Sequence, residues 1–185
     1  MKNNKIITFL SAFVLLALIS CNQVKTDLIQ TPFIPKPVSV KATGQAFKLE
    51  NATVIYVQEG LEQTGKYLAG SLGRITGATF EVKTSAEVPA GGIYLSLSAG
   101  KPELGNEGYK LIIGKNLIEI KANQPAGCFN GIQTLLQTLP VKSAEGEIPV
   151  IATGTVTDSP DFAFRGVMLD VARHFFSVDE VKQLI

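Results

Sequence analysis

Between residues 53 and 156 the apolar side chains change period repeatedly, from the alternation of strands to the 3.6-residue recurrence of helices. A chain patterned that way buries its apolar surface only by laying helices on a sheet. Residues 53–57 are β-branched and aromatic, which predicts a strand. Leu61, Thr64, Leu68, Leu72 and Ile75 then recur at helical spacing, and Gly77 stands where a helix cap belongs. Residues 79–83 and 93–97 read as short strands. Residues 109–113 and 117–121 alternate across Gly114-Lys115-Asn116, residues that tolerate positive φ, and this predicts a hairpin.

A second helix should follow, with Pro125 in its first turn, where a missing N–H costs little, and Pro140 as its stop. Phe129, Ile132, Leu135, Leu136 and Leu139 form its expected buried face. Gly127 and Gly131, one turn apart, would let it lie close on the sheet. Residues 148–156 give a last strand before the turn at Asp158-Ser159-Pro160. Helices recurring among antiparallel hairpins predict a two-layer α+β domain, a sheet with two helices, over residues 35–157.

The N-terminus reads as an address. Lys2 and Lys5 precede an apolar run over residues 6–19, too short to span a bilayer, which takes about 20 apolar residues. Positive start, apolar stretch and then small residues is the layout of an export signal, here residues 1–20. Its end, Leu18-Ile19-Ser20-Cys21, resembles the lipobox of bacterial lipoproteins, in which the Cys is acylated and heads the mature chain. Residues 21–34 would be the lipidated tether. The expected location is the bacterial cell envelope, with membrane attachment through Cys21. An acylated Cys21 leaves Cys128 without a partner, so no disulfide is expected and Cys128 reads as a buried small hydrophobe beside Phe129 and Ile132.

Composition narrows the function. Lys+Arg 17 against Asp+Glu 16 gives a net charge of +1, without the basic excess that nucleic-acid binders carry. A 45% hydrophobic content rules against a disordered chain. One His and two Cys are too few soft ligands for a zinc site, and no metal or cofactor is expected. Gly60-Leu61-Glu62-Gln63-Thr64-Gly65-Lys66 satisfies G-x-x-x-x-G-K, yet the next residue is Tyr67 in place of the hydroxyl that would hold Mg²⁺. Glu62 would set a negative charge beside the phosphates, and the helical period already starts at Leu61. It is a decoy.

The most informative stretch is Phe164-Arg165-Gly166-Val167-Met168-Leu169-Asp170-Val171-Ala172-Arg173-His174-Phe175-Phe176. Residues 166–171 are mostly apolar on both faces, as a strand buried in a parallel sheet would be. Ser177 and Glu180 make a capping box for a helix after it. A buried strand running into a helix is the opening βα unit of something larger.

This stretch resembles the first barrel strand of the β-N-acetylhexosaminidases of glycoside hydrolase family 20, whose pattern there is Arg-Gly-x-x-x-Asp-x-x-Arg-His-Phe. Residues 109–122 followed by Gly127-Cys128-Phe129-Asn130-Gly131-Ile132-Gln133-Thr134-Leu135 are similar to the small domain that precedes the family's barrel, and Ile34-Pro35-Lys36-Pro37 resembles the approach to it. Asp161 departs from the pattern, since the family often has Arg between that Pro and Phe.

The resemblance implies a fold and a chemistry. The small domain would lead into the first strand and helix of a (β/α)8 barrel over residues 162–185. The family's substrates are glycans ending in N-acetylglucosamine or N-acetylgalactosamine. An adjacent Asp-Glu pair late in the barrel does the work, with Glu as general acid and Asp orienting the substrate's own acetamido group for attack. Tryptophans wall the pocket. Arg165 is the residue that the motif carries over, as a contact to sugar hydroxyls. Asp170, Arg173 and His174 match too, and the expectation for them is a buried polar network steadying the strand end. A barrel takes about 250 residues, whereas the motif begins at Phe164 of 185 and Trp is absent, so no catalytic residue is expected within this chain. Asp179-Glu180 is no substitute for the pair, because both sit in the first turn of a helix, where acidic groups complement its dipole.

Two readings follow. The first is the N-terminal portion of an exported β-N-acetylhexosaminidase, inactive alone. The second is a free-standing envelope lipoprotein whose α+β domain is a structural or glycan-binding module. The sequence favours the first, because residues 178–185 run in mid-helix without Gly, Asn or Pro. Oligomeric state is left open.

Overall fold

The computed structural model describes residues 27–184, apart from 99, 101, 145, 146, 163 and 171. The export signal and Cys21 lie outside the described residues. Seven strands form one mixed sheet: β1 (Ser39–Lys48), β2 (Ile55–Val57), β3 (Val82–Thr84), β4 (Gly92–Leu97), β5 (Tyr109–Ile113), β6 (Leu117–Ala122) and β7 (Val150–Asp158). Their order across the sheet is β1-β7-β5-β6-β4-β2-β3. Two helices, α1 (Glu62–Thr76) and α2 (Pro125–Leu136), pack on it, and a short α3 (Val178–Leu184) follows the domain. The architecture is the expected α+β domain, yet half of the sheet is parallel: β2 runs parallel to β3 and β4, and β4 to β6. A helix between two strands returns the chain to its starting side, which is what a parallel pairing needs.

One face of the sheet is the core. The rows Ile55, Ile93, Ile118, Ile113 and Val57, Leu95, Ile120, Leu111, Val156 lie in register and are all buried. Leu68 and Leu72 of α1 and Ile132 and Leu135 of α2 close over them. The opposite face carries Tyr56, Glu119, Ile112 and Thr155 along one such row. There Glu119 and Lys121 approach to 3.1 Å in an ionic contact without hydrogen-bond alignment.

Local chemistry explains the helix ends. Gly77 takes φ 74° at the C-cap of α1, with its N–H on the Gly73 carbonyl, a left-handed position where a side chain would be strained. Pro125 opens α2 as expected, but the helix stops at Leu136, four residues short of Pro140. Gly127 and Gly131 are the close approach: a Cβ on Gly131 would fall 2.6 Å from Ile120 Cγ2, and one on Gly127 2.8 Å from Ala122 Cβ. The hairpin forms at residues 114–116, closed by Gly114 N–H on the Leu117 carbonyl at 2.9 Å. None of its three residues has positive φ, so the turn does not use the freedom they offer.

Three expectations are corrected. Residues 28–33 belong to the domain and not to a tether: Leu28 is fully buried against the β7 end of the core face and Phe33 nearly so. Gln137 holds that segment through both amide atoms, accepting from Ile34 N–H at 2.8 Å and donating to its carbonyl at 3.1 Å. Phe129 is 43% exposed, on the outer side of α2, with its ring 5.0 Å from that of Tyr67. Residues 166–170 form no strand, and Met168 is 93% exposed. A barrel strand is held by neighbours on both sides, and among the described residues no other strand reaches this one.

Candidate functional site

Within Gly60–Lys66 the chain is helical from Glu62 onward and forms no phosphate cradle. Gly60 N–H points at both Glu62 carboxylate oxygens, 3.1 Å each, so a carboxylate already occupies the place a phosphate would take. Gly65 is buried in α1 against Val57 and Val82. Cys128 is buried in α2, its Sγ donating to the Ser96 carbonyl at 3.6 Å, and desolvation pushes its thiol up to about 12. Among the described residues no three His, Cys, Asp or Glu side chains converge as metal ligands would.

Arg165 lies where the domain hands over to the following segment. After β7 ends at Asp158, residues 159–162 run past the loop before β5. There Arg165 Nη2 meets Glu107 Oε2 at 2.5 Å, and Nη1 donates to the Phe162 carbonyl at 2.5 Å. The pair borders an open depression of about 570 Å³ lined by Glu103, Leu104, Asn106, Glu107, Asp161 and Phe162. Three carboxylates around it favour a guanidinium there. A second depression of about 500 Å³, lined among others by Lys48, Glu50, Tyr56, Lys115 and Asn116, contains none of the candidate site residues.

The other motif residues do not gather. Asp170, Arg173 and His174 are all exposed, and no buried network joins them. Asp170 Oδ1 accepts from Ala172 N–H at 2.9 Å, and the His174 ring meets Phe176 edge-on at 4.9 Å. Charges stay in water unless partners replace it, and among the described residues nothing covers these three. The capping box does form. Glu180 Oε2 accepts from Ser177 N–H at 2.7 Å and from its hydroxyl at 2.8 Å, while Glu180 N–H donates to Ser177 Oγ at 3.3 Å. Those bonds, the backbone N–H foremost, hold the Glu180 carboxyl below its ordinary value. A general acid needs the opposite shift, so Glu180 caps a helix.

Glu107 is the residue that sequence reasoning missed. Its only signal is position, two residues ahead of a strand, and its partner comes 58 residues later.

With the geometry in place, comparison with known proteins gives the family. Residues 30–159 match Glycosyl hydrolase family 20, domain 2, and residues 162–185 match Glycosyl hydrolase family 20, catalytic domain. The chain belongs to glycosyl hydrolase family 20. Among its relatives is the beta-hexosaminidase of Porphyromonas gingivalis, 34% identical over 183 residues, which cover 92% of this chain and 23% of that protein. The beta-N-acetylhexosaminidase of Streptomyces coelicolor A3(2) superposes with TM-score 0.69 at 42% identity, over 81% of this chain and 31% of that one. A mutant beta-hexosaminidase of Streptomyces plicatus, solved with its product GlcNAc, superposes with TM-score 0.69 at 41% identity, over 81% and 30%. The chain thus spans less than a third of the length of these relatives.

Proposed function

We propose that this chain is the N-terminal part of an exported, lipid-anchored β-N-acetylhexosaminidase that removes terminal N-acetylglucosamine or N-acetylgalactosamine from glycans. The observation that carries the reading is continuity: domain 2 of the family runs, within a few residues, into the start of its catalytic domain, with the Arg165 motif intact. Relatives named beta-hexosaminidases support the activity. In the longer protein the Asp-Glu pair would lie further along the barrel, and the substrate's acetamido group would act as nucleophile, the substrate-assisted exception among two-carboxylate glycosidases. Arg165 would offer its planar fork of donors to paired sugar hydroxyls. Cys21 would anchor the protein in the cell envelope; the support is the positive, apolar and lipobox-like order of residues 1–21.

The test is hydrolysis of an aryl N-acetylglucosaminide. The longer protein should turn it over, and residues 1–185 alone should stay at background. Turnover by the 185-residue chain that Glu180→Gln abolishes would overturn the reading of Glu180 as a cap. A longer protein inert on both N-acetylglucosaminides and N-acetylgalactosaminides would overturn the activity. For the anchor, metabolic labelling with a palmitate analogue should tag the wild type and not Cys21→Ser.

A further inference from the structure

We propose that Glu107, a residue of the small domain, is a positioning residue for Arg165, so that the small domain acts on sugar binding through an ion pair across the domain junction. The inference rests on the reading of Arg165 as a sugar-hydroxyl contact.

The Arg165–Glu107 contact joins the two family regions, one residue on each side of the junction. What makes it a positioning contact is how firmly Glu107 is held. Its carbonyl accepts from Asn130 Nδ2 of α2 at 2.9 Å. The next residue, Gly108, bonds back to the Leu104 carbonyl at 2.9 Å. Gly108 is also wedged between neighbours: a Cβ on it would fall 2.9 Å from Ser159 Cβ, and a Cβ on Gly127 would fall 2.3 Å from the Gly108 carbonyl oxygen. The backbone bearing the Glu107 carboxylate is therefore clamped between α2 and the end of β7.

Arg165 has the opposite character. It is half exposed, and the described residues between 162 and 176 lie outside any helix or strand. A long side chain there samples many rotamers, and binding through it costs the entropy of fixing one. Glu107 on Nη2 and the Phe162 carbonyl on Nη1 set the plane of the fork. A guanidinium carries more donors than these two contacts consume, so the rest stay available to hydroxyl oxygens. The carboxylate orients the fork without filling it.

The experiment uses the longer, active protein. Glu107→Gln keeps the shape and removes the charge; since the hydroxyl contacts are made in ground and transition states alike, it should raise KM for an aryl N-acetylglucosaminide about fivefold with kcat nearly unchanged. Glu107→Asp should recover part of the loss, and the melting temperature should stay put because the pair is partly exposed. In an Arg165→Lys background, Glu107→Gln should add little, since both act through one contact. An active wild type whose KM ignores Glu107→Gln would overturn this inference and leave the proposed function standing. So would a KM rise that persists in full without Arg165. A wild type without activity would overturn both.

Discussion

Cys128 and Tyr109 show what burial does to single titratable groups. Both sit where α2 meets the sheet, and both are pushed up to about 12, from 9.0 for the thiol and 10.0 for the phenol. Desolvation is the cause for Cys128; for Tyr109 it leads, opposed by the Thr134 hydroxyl bond and reinforced by Asp158. A folded value above the unfolded one means that the stability contribution is complete below the unfolded value and drains away as pH climbs through the folded one. Circular dichroism at rising pH should therefore show the domain intact near pH 8, weakening between 9 and 12, and Cys128→Ala should move the onset upward toward the window set by Tyr109. Loss of fold below the lower bound would contradict the assignment. Tyr109→Phe should cost about 1–2 kcal/mol in urea unfolding, because it strips the buried Thr134 hydroxyl of a partner 2.5 Å away. At this scale the sequence is legible where a residue's surroundings are local. Cys128 is apolar company in an apolar helix. Phe129 has the same composition around it but points outward onto Tyr67, and residue type alone does not say which way a helix is turned. Glu107 is invisible, since its partner is distant in the chain.

Helices and the β5–β6 hairpin were readable because a period of 3.6 or 2 survives in them unbroken. β1 was not, and its structure says why. Its register slips between Ala42 and Ala46, so the alternation reverses in mid-strand, and only Phe47 of its ten residues is buried. The irregularity is sewn down by Thr153 Oγ1, bonded to Thr43 Oγ1 at 2.7 Å and to Gln45 N–H at 3.0 Å. The parallel pairings were equally hidden, because strand direction leaves no mark on composition. Helix packing offers a sharp contrast between glycines. Gly131→Ala should destabilise by about 1–3 kcal/mol despite the gain in helix propensity, since its Cβ meets Ile120 at 2.6 Å and the Tyr109 ring at 3.1 Å. Gly70→Ala, at an exposed position of α1 with only an Arg74 tip at 3.9 Å, should instead stabilise by about 0.5–1 kcal/mol. Urea midpoints of the two variants decide it; equal shifts would mean that α2 does not lie close on the sheet at Gly131.

Across the whole molecule the apolar surface is unevenly distributed. Phe162, Phe164, Val167, Met168 and Phe175 are all exposed along one segment after the domain. Residues 27–185 should accordingly bind an apolar dye and self-associate in sedimentation, whereas residues 27–160 should do neither while melting at the same temperature. Melting that drops with the truncation would show that the segment supports the domain. The family was legible in that segment because a motif survives whether or not its strand is paired; that residues 166–170 stand without strand partners was not, because pairing is a property of neighbours. At the opposite edge, Val38 N–H bonds the Asp158 carboxylate 120 residues later, and β7 lies between β1 and β5. The ribosome thus delivers Ser39–Lys48 first among the described strands and its sheet neighbour last. A nascent chain can assemble β2 through β6 while its leading strand waits as a loose end, open to chaperones and proteases. Emergence of Val150–Asp158 ends that wait and brings together the two ends of the domain in one closing step.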